Sequence, residues 1–258
     1  MIGADTFGAP NWVDLSTPNI EGAVAFYSEL LDWDTSAMST EMGEYHVASV
    51  KGHEVAGMMA QSPDHAGIPA MWTMFIYVKS VDETLEKVEE AYGHVLQAPF
   101  DIPGGARVSV ISDSTGAMFA LISGGEKPEG AYYSEIPGAV CWFELMTRDT
   151  EAAAKFYRDV FGWEMALDET TATEYATFRL GGQDIVGMLP MPEMMPDEAP
   201  AHWSVYFTVS DCAATQKMAV ELGGEVAVPV TDISIGRFAV LEDPSGAVFE
   251  IMEYTSMD

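Results

Sequence analysis

The six tryptophans of this 258-residue chain fall into three pairs whose spacings agree to within one residue, and that spacing limits the possible folds more than any other feature. Trp12 and Trp142, like Trp33 and Trp163, lie 130 positions apart, and Trp72 and Trp203 lie 131 apart. The same offset relates Phe26-Tyr27 to Phe156-Tyr157, Tyr45 to Tyr175, Gly57-Met58 to Gly187-Met188, Arg107 to Arg237, and the stretch from Asp113 to Gly116 to that from Asp243 to Gly246. The chain is a tandem duplication, so its fold must be one that can be built twice. The one-residue shift enters in the Pro- and Met-rich loop before Trp203 and is lost again between Asp232 and Arg237. Between the copies, Gly124 to Gly130 is rich in Gly, Pro and charge, as a linker is. The expected domains are therefore 1–123 and 138–258, joined by 124–137.

Each copy divides again into two similar pieces. Trp12 to Ser16 alternates as a half-buried strand does, with Val13 and Leu15 on one face and Trp12, Asp14 and Ser16 on the other. A helix follows, with Asn19 as N-cap and Val24, Tyr27, Leu30 and Leu31 at helical spacing. Three strands are predicted next, over Trp33 to Met38, Tyr45 to Val50 and Glu54 to Ala60. The second piece restarts with a strand from Trp72 to Val78, then the capping box Ser80-Val-Asp-Glu83 and a helix running toward Gly93. Strands near His94 to Phe100, Arg107 to Ile111 and Ala117 to Ile122 complete it. The order is strand, helix, three strands, repeated four times: an α+β fold of tandem domains, each two βαβββ modules forming a curved half-barrel sheet with helices outside.

Alternation then says which residues line the helix-free face. In the second copy they are Trp142 and Glu144, then Ser204, Tyr206 and Thr208, then Val248, Glu250 and Met252. In the first they are Trp12 and Asp14, then Thr73, Phe75 and Tyr77, then Met118, Ala120 and Ile122.

Charge narrows the partners. Acidic residues outnumber basic ones 41 to 11, for a formal charge of −30, spread evenly as −14 over residues 1–130 and −16 over 131–258. Such a surface repels phosphate backbones and anionic membranes, so neither nucleic acid nor membrane is an expected partner. The longest apolar stretch, Ala70 to Val78, is too short to span a bilayer, and the first five residues carry no signal-peptide pattern. Cys141 and Cys212 fit no metal spacing and are expected as reduced core thiols of a cytoplasmic protein.

Four strand-helix-three-strand modules, the segments from Phe26-Tyr27 to Trp33 and from Phe156-Tyr157 to Trp163, and the closing run from Asp243 to Glu250 together resemble the vicinal oxygen chelate superfamily. That superfamily contains glyoxalase I, extradiol dioxygenases and bleomycin-resistance proteins. The pairs Trp12-Val-Asp-Leu15 and Trp142-Phe-Glu-Leu145 are similar to a tandem glyoxalase-like subgroup labelled hydroxylases. The resemblance implies metal-ligand positions on the first, fourth, fifth and eighth strands of a domain. Those positions fall on Trp12, Gly57-Met58, Thr73 and Ala120 in the first copy, and on Trp142, Gly187-Met188, Ser204 and Glu250 in the second. A transition metal needs about three or four donors from His, Cys, Asp or Glu, so no metal cofactor is expected. Glu250, with His202 nearby, is the weak alternative for a divalent ion.

The expected function is a small-molecule site without an orthodox metal centre. Trp12, Asp14, Thr73, Tyr77, Trp142, Ser204, Tyr206 and Met252 are the candidate ligand-binding residues, and Glu250 and Glu144 the candidate proton-transfer pair. The alternative is a glyoxalase-like lyase or oxygenase acting on a small carbonyl or aromatic compound through the second domain, centred on Glu250. The loop from Pro190 to Pro196 is either a lid or a connection. Neither Gly104-Gly105 with Arg107 nor Gly236-Arg237 opens a helix, so neither is a phosphate loop. Two copies in one chain already supply four modules, which makes a monomer the expected state and a dimer the alternative.

Overall fold

The computed structural model describes residues 6–40, 43–62, 67–125, 136–167, 174–193 and 195–255. The first module is β1 (Pro10–Thr17), α1 (Ile20–Leu31), β2 (Asp34–Thr40), β3 (Gly43–Val50) and β4 (His53–Ala60). The second is β5 (Met71–Tyr77), α2 (Val81–Glu90), β6 (His94–Ile102), β7 (Ala106–Ser112) and β8 (Met118–Gly124). The third is β9 (Val140–Thr147), α3 (Thr150–Phe161), β10 (Glu164–Leu167), β11 (Ala176–Leu180) and β12 (Gln183–Pro190). The fourth is β13 (His202–Thr208), α4 (Cys212–Glu221), β14 (Glu225–Ile233), β15 (Gly236–Glu242) and β16 (Val248–Tyr254). The strand, helix, three-strand order read from the sequence is present four times, and the fold is α+β. The expected linker at 124–137 falls largely outside the described residues, as do the first five residues and His65.

Local chemistry explains where the helices begin. Asn19 accepts from Gly22 N at 3.1 Å, Ser80 from Glu83 N at 3.3 Å, Asp149 from Ala152 N at 2.9 Å and Asp211 from Ala214 N at 3.0 Å. Each cap satisfies a backbone donor that the first helical turn leaves open. In every module the first strand lies parallel to the last, and the register carries the repeat: Asp14 faces Gly57, Glu144 faces Gly187, Phe75 faces Ala120, and Tyr206 faces Glu250. The strands of each repeat form one mixed sheet, in the order β2-β3-β4-β1-β5-β8-β7-β6 and its counterpart β10-β11-β12-β9-β13-β16-β15-β14.

Packing follows a different division from chain order. One compact unit consists of Met1–Asn11, Met74–Pro128 and Phe143–Ser204, the other of Trp12–Thr73, Glu129–Trp142 and Val205–Asp258. Each unit therefore joins a module of one repeat to a module of the other. In the second unit, Tyr27 Oη donates to Asp243 Oδ2 at 3.1 Å, and Trp72 Nε1 donates to Tyr27 Oη at 3.0 Å. Trp33 Nε1 donates to the Gly138 carbonyl at 2.7 Å, and its ring stacks on Tyr27. Phe249 and Phe207 complete this aromatic cluster.

The first unit repeats these hydrogen bonds with the corresponding residues. Tyr157 Oη donates to Asp113 Oδ2 at 2.8 Å, Trp203 Nε1 donates to Tyr157 Oη at 3.0 Å, and Trp163 Nε1 donates to the Gly8 carbonyl at 2.6 Å. The other oxygen of each aspartate holds its own turn, Asp113 through the amides of Thr115 and Ala117 and Asp243 through those of Ser245 and Ala247. Gly116 and Gly246 close these turns at φ of 98° and 90°, a conformation that favours glycine. Burial, then the facing carboxylate, pushes the Tyr27 and Tyr157 phenols well above the usual tyrosine range, so both stay neutral donors.

Removing either hydroxyl leaves a buried carboxylate oxygen and an indole N–H short of a partner. Tyr27→Phe and Tyr157→Phe are each expected to lose about 2 kcal/mol in urea unfolding. The double variant should lose close to the sum, because the two networks share no residue.

Candidate functional site

Four of the six tryptophans are thus committed to the cores of the two units, and Trp12 and Trp142 remain. On β1, Val13 and Leu15 are sealed from solvent, while Trp12 and Asp14 on the opposite face keep 8% exposure each. Asp14 Oδ1 accepts from Tyr45 Oη at 2.7 Å and from Trp12 Nε1 at 2.8 Å, and the same indole N–H lies 3.0 Å from Tyr45 Oη. Tyr45 reaches this position because the residue between them in the sheet is Gly57. A Cβ at 57 would overlap both Tyr45 Oη and Asp14 Oδ1.

The electrostatic result is a carboxyl poised near neutrality. Burial raises Asp14 to about 6, against the opposing pull of the hydrogen bonds from Tyr45 and Trp12. Tyr45 is pushed well above the ordinary phenol range, first by burial and then by the Asp14 charge. Sequence reasoning placed Asp14 on this face as a ligand contact but missed Tyr45. Its alignment with Tyr175 was the available signal.

In the second repeat, Tyr206, Met252 and Cys141 form a buried cluster, against which half-buried Trp142 and Phe238 pack. Glu250 is 2% exposed and lies directly across from Tyr206, while Phe238 lies across from Met252. Three expected site residues, Tyr206, Glu250 and Met252, therefore share one sheet face, and a fourth, Trp142, packs against the cluster that Tyr206 and Met252 form. Burial pushes the Cys141 thiol up to about 11 and the Cys212 thiol likewise, which keeps both protonated as expected of core cysteines.

In the unit that holds Glu144, this carboxylate is buried opposite Gly187, and Ser204 is buried on β13. There too, Tyr77 is buried and stacked under Phe7 at 5.1 Å, with Phe75 beside Ala120. Thr73 is half-buried on β5. His202, at the start of β13, turns Nδ1 toward the Pro200 carbonyl at 3.0 Å. The stretch before it is tied back by Arg148, which donates to the Pro196 carbonyl at 2.6 Å. A recess of about 290 Å³ beside the start of α1 is lined by Asn19, Phe26, Leu222 and the Asp243 turn, polar groups already engaged in capping and core bonds.

The metal centre that the resemblance implies does not fit the first repeat. Its four positions offer an indole, a glycine, a threonine and an alanine, and the space a ligand at 57 would use is held by Tyr45 and Asp14. Among the described residues, no three or more His, Cys, Asp or Glu side chains are grouped so as to share an ion. No described helix is long and apolar enough to cross a membrane.

Tandem βαβββ modules with parallel first and last strands define a glyoxalase-like fold. The model of the Glyoxalase/Bleomycin resistance protein/Dioxygenase superfamily matches residues 9–121 and 140–251, and the chain belongs to that superfamily. It is 36% identical over 251 residues to a Mycobacterium tuberculosis protein named "Putative glyoxylase CFP32", covering 95% of each chain. It is 34% identical over 259 residues to the anthracycline biosynthesis protein DnrV of Streptomyces peucetius, covering 95% of this chain and 93% of that one. Among solved structures, the Mn(II)-bound glyoxalase of Novosphingobium aromaticivorans matches with a TM-score of 0.65 at 16% identity, over 96% of this chain and 82% of the other. The 2,3-dioxygenase LapB of Pseudomonas sp. KL28 matches with a TM-score of 0.63 at 11% identity, over 95% and 91%. These two likenesses are in fold.

The sign of the Asp14 effect is testable. A carboxyl raised from 3.8 to about 6 by folding adds stability that is complete below about pH 4 and is lost as pH rises through 6. Asp14→Asn keeps an acceptor for Tyr45 and Trp12 but cannot ionise. Its stability relative to the parent should therefore climb by roughly 2–3 kcal/mol between pH 4 and 7 and then level off. Parallel urea-unfolding profiles for the two proteins over that range would show that Asp14 titrates normally.

Proposed function

We propose that the helix-free sheet face of the second repeat binds a small, planar organic molecule, and that it does so without a transition metal. One observation carries this reading: Tyr206, Met252 and Phe238 share a sheet face with the buried Glu250 carboxylate, and the Trp142 side chain packs against the cluster that Tyr206 and Met252 form. An indole and a phenol supply flat apolar walls with a polar edge, and a thioether adapts to the outline of the ligand. Glu250 accepts hydrogen bonds from hydroxyl or ammonium groups, which gives such a pocket its orientation. The acidic surface favours neutral and cationic molecules over anions. The relative named for anthracycline biosynthesis supports planar fused-ring chemistry as the class.

The second reading is an enzyme of the glyoxalase or dioxygenase type in which Glu250 moves a proton. It draws support from the relative named as a glyoxylase and from the same carboxylate, deeply buried beside Tyr206.

The two readings separate on one pair of variants, with 1,8-dihydroxyanthraquinone as the probe in a thermal-shift titration. Binding should raise the melting temperature of the parent, and Trp142→Ala should weaken the affinity at least tenfold. For a binding protein, Glu250→Gln should lose less than tenfold in affinity; for the enzyme, it should abolish conversion of the compound. A Trp142→Ala protein that binds as tightly as its parent would contradict the assignment of this face. Stoichiometric manganese, iron, nickel or zinc in the purified protein would contradict the metal-free part.

A further inference from the structure

The buried polar groups of the first repeat carry chemistry of their own. Oδ1 of Asp14 already accepts two hydrogen bonds, from Tyr45 Oη and from Trp12 Nε1, which occupies both lone pairs of that oxygen. A proton taken up by this carboxyl therefore sits on Oδ2. Both donors are then fully used by the neutral acid, and the acid itself gains one O–H to give away. Gly57 is the enabling residue, since any side chain there would displace Tyr45 from Asp14.

We propose that Asp14, set in place by Tyr45, Trp12 and Gly57, forms a second ligand site, in which the carboxylic acid donates a hydrogen bond from Oδ2 to the carbonyl oxygen of an uncharged aromatic ketone or quinone. The chemistry selects this class in three steps. An acid O–H needs a partner that accepts, and a carbonyl oxygen does so without bringing a charge into a buried site. Anionic acceptors are disfavoured by the net charge of −30 and by any ionised fraction of Asp14. The Trp12 indole beside the carboxyl favours a flat ring.

Asp14 titrates at about 6, because burial outweighs its two donors, so the donor form persists to near-neutral pH. Among the described residues, the titratable groups whose charge bears on this cluster are Tyr45 from β3 and, acting on Tyr45, Glu54 from β4. Asp14 keeps 8% of its surface exposed. The site lies in the first repeat and rests on the reading above only in requiring that a small molecule reach this sheet face.

The test compares 9-fluorenone with fluorene, which has the same flat outline but no carbonyl, by equilibrium dialysis on the intact protein from pH 5 to 8. At pH 5 fluorenone should bind about tenfold tighter than fluorene, and above pH 6 that preference should fall by up to about tenfold per pH unit. Fluorene binding should stay flat with pH. Asp14→Asn, whose amide still donates, should keep a preference for fluorenone but lose its pH dependence.

Tyr45→Phe removes a donor to the ionised form. It should move the Asp14 carboxyl titration, followed by carbon NMR, to higher pH, whereas a tyrosine that merely filled space would leave it unmoved. Equal binding of the two compounds at pH 5, or an unchanged pH profile in Asp14→Asn, would overturn this proposal alone. Binding of neither compound, with 1,8-dihydroxyanthraquinone also failing to bind, would overturn it together with the ligand reading.

Discussion

A phenol hydrogen-bonded to an aspartate, buried and made twice, is the constraint on which the architecture rests. Tyr27 lies in the first repeat and its partner Asp243 in the second; Tyr157 lies in the second and Asp113 in the first. Each aspartate spends one oxygen on its own turn and the other on a tyrosine from the opposite repeat. Burying a carboxylate is costly unless its oxygens are satisfied, so a turn without its tyrosine, or a tyrosine without its turn, leaves a charge poorly solvated inside an aromatic cluster. Two of the three tryptophan pairs serve the same cluster, donating to the tyrosine hydroxyl and to a backbone carbonyl. Duplication therefore produced two copies that complete each other's cores.

This division of labour frees the opposite sheet face to diverge. Across the four first-to-last strand pairs the register is retained, yet the residues differ where chemistry would occur: Phe75 with Ala120 in one repeat, Tyr206 with Glu250 in the other. On β1, Asp14 is drawn into a network with Tyr45 and Trp12 that only a glycine at 57 permits. Where metal-binding relatives are expected to present a ligand, this chain has withdrawn the side chain altogether and filled the gap with a phenol. The fold is thus that of the superfamily, while the groups on its faces include hydrogen-bond donors, aromatic rings and buried carboxyl groups.

Much of this was legible in the sequence because it is local or periodic. Tryptophan spacing announced the duplication, Asn19 and Ser80 announced their helices, and alternation placed Trp12 and Asp14 opposite Val13 and Leu15. The recurring motifs from Phe26-Tyr27 to Trp33 and from Asp243 to Gly246 identified the family, but their physical role was invisible, since Tyr27 and Asp243 are 216 positions apart and meet only in the folded chain. The turn residues look like ordinary hairpin chemistry until the second oxygen of each aspartate is accounted for. Tyr45 was missed for a related reason: its strand partner is Met59, and it reaches Asp14 diagonally across Gly57, a relation fixed by register and not by spacing. Glu144 and Glu250 are buried, as their place on the strands led the sequence reading to expect, and Asp14 is buried with hydrogen bonds from Tyr45 and Trp12.

The central claim is that each hydrophobic core is completed by residues from both repeats. It is tested most directly by producing residues 1–123 and 138–258 as separate chains and following each by size-exclusion chromatography and urea unfolding. The account predicts that neither chain alone forms a cooperatively folding monomer, that each self-associates or stays partly unfolded, and that mixing the two restores a one-to-one complex with a single sharp transition. A folded monomeric half, unfolding cooperatively at a urea concentration close to that of the intact protein, would contradict it.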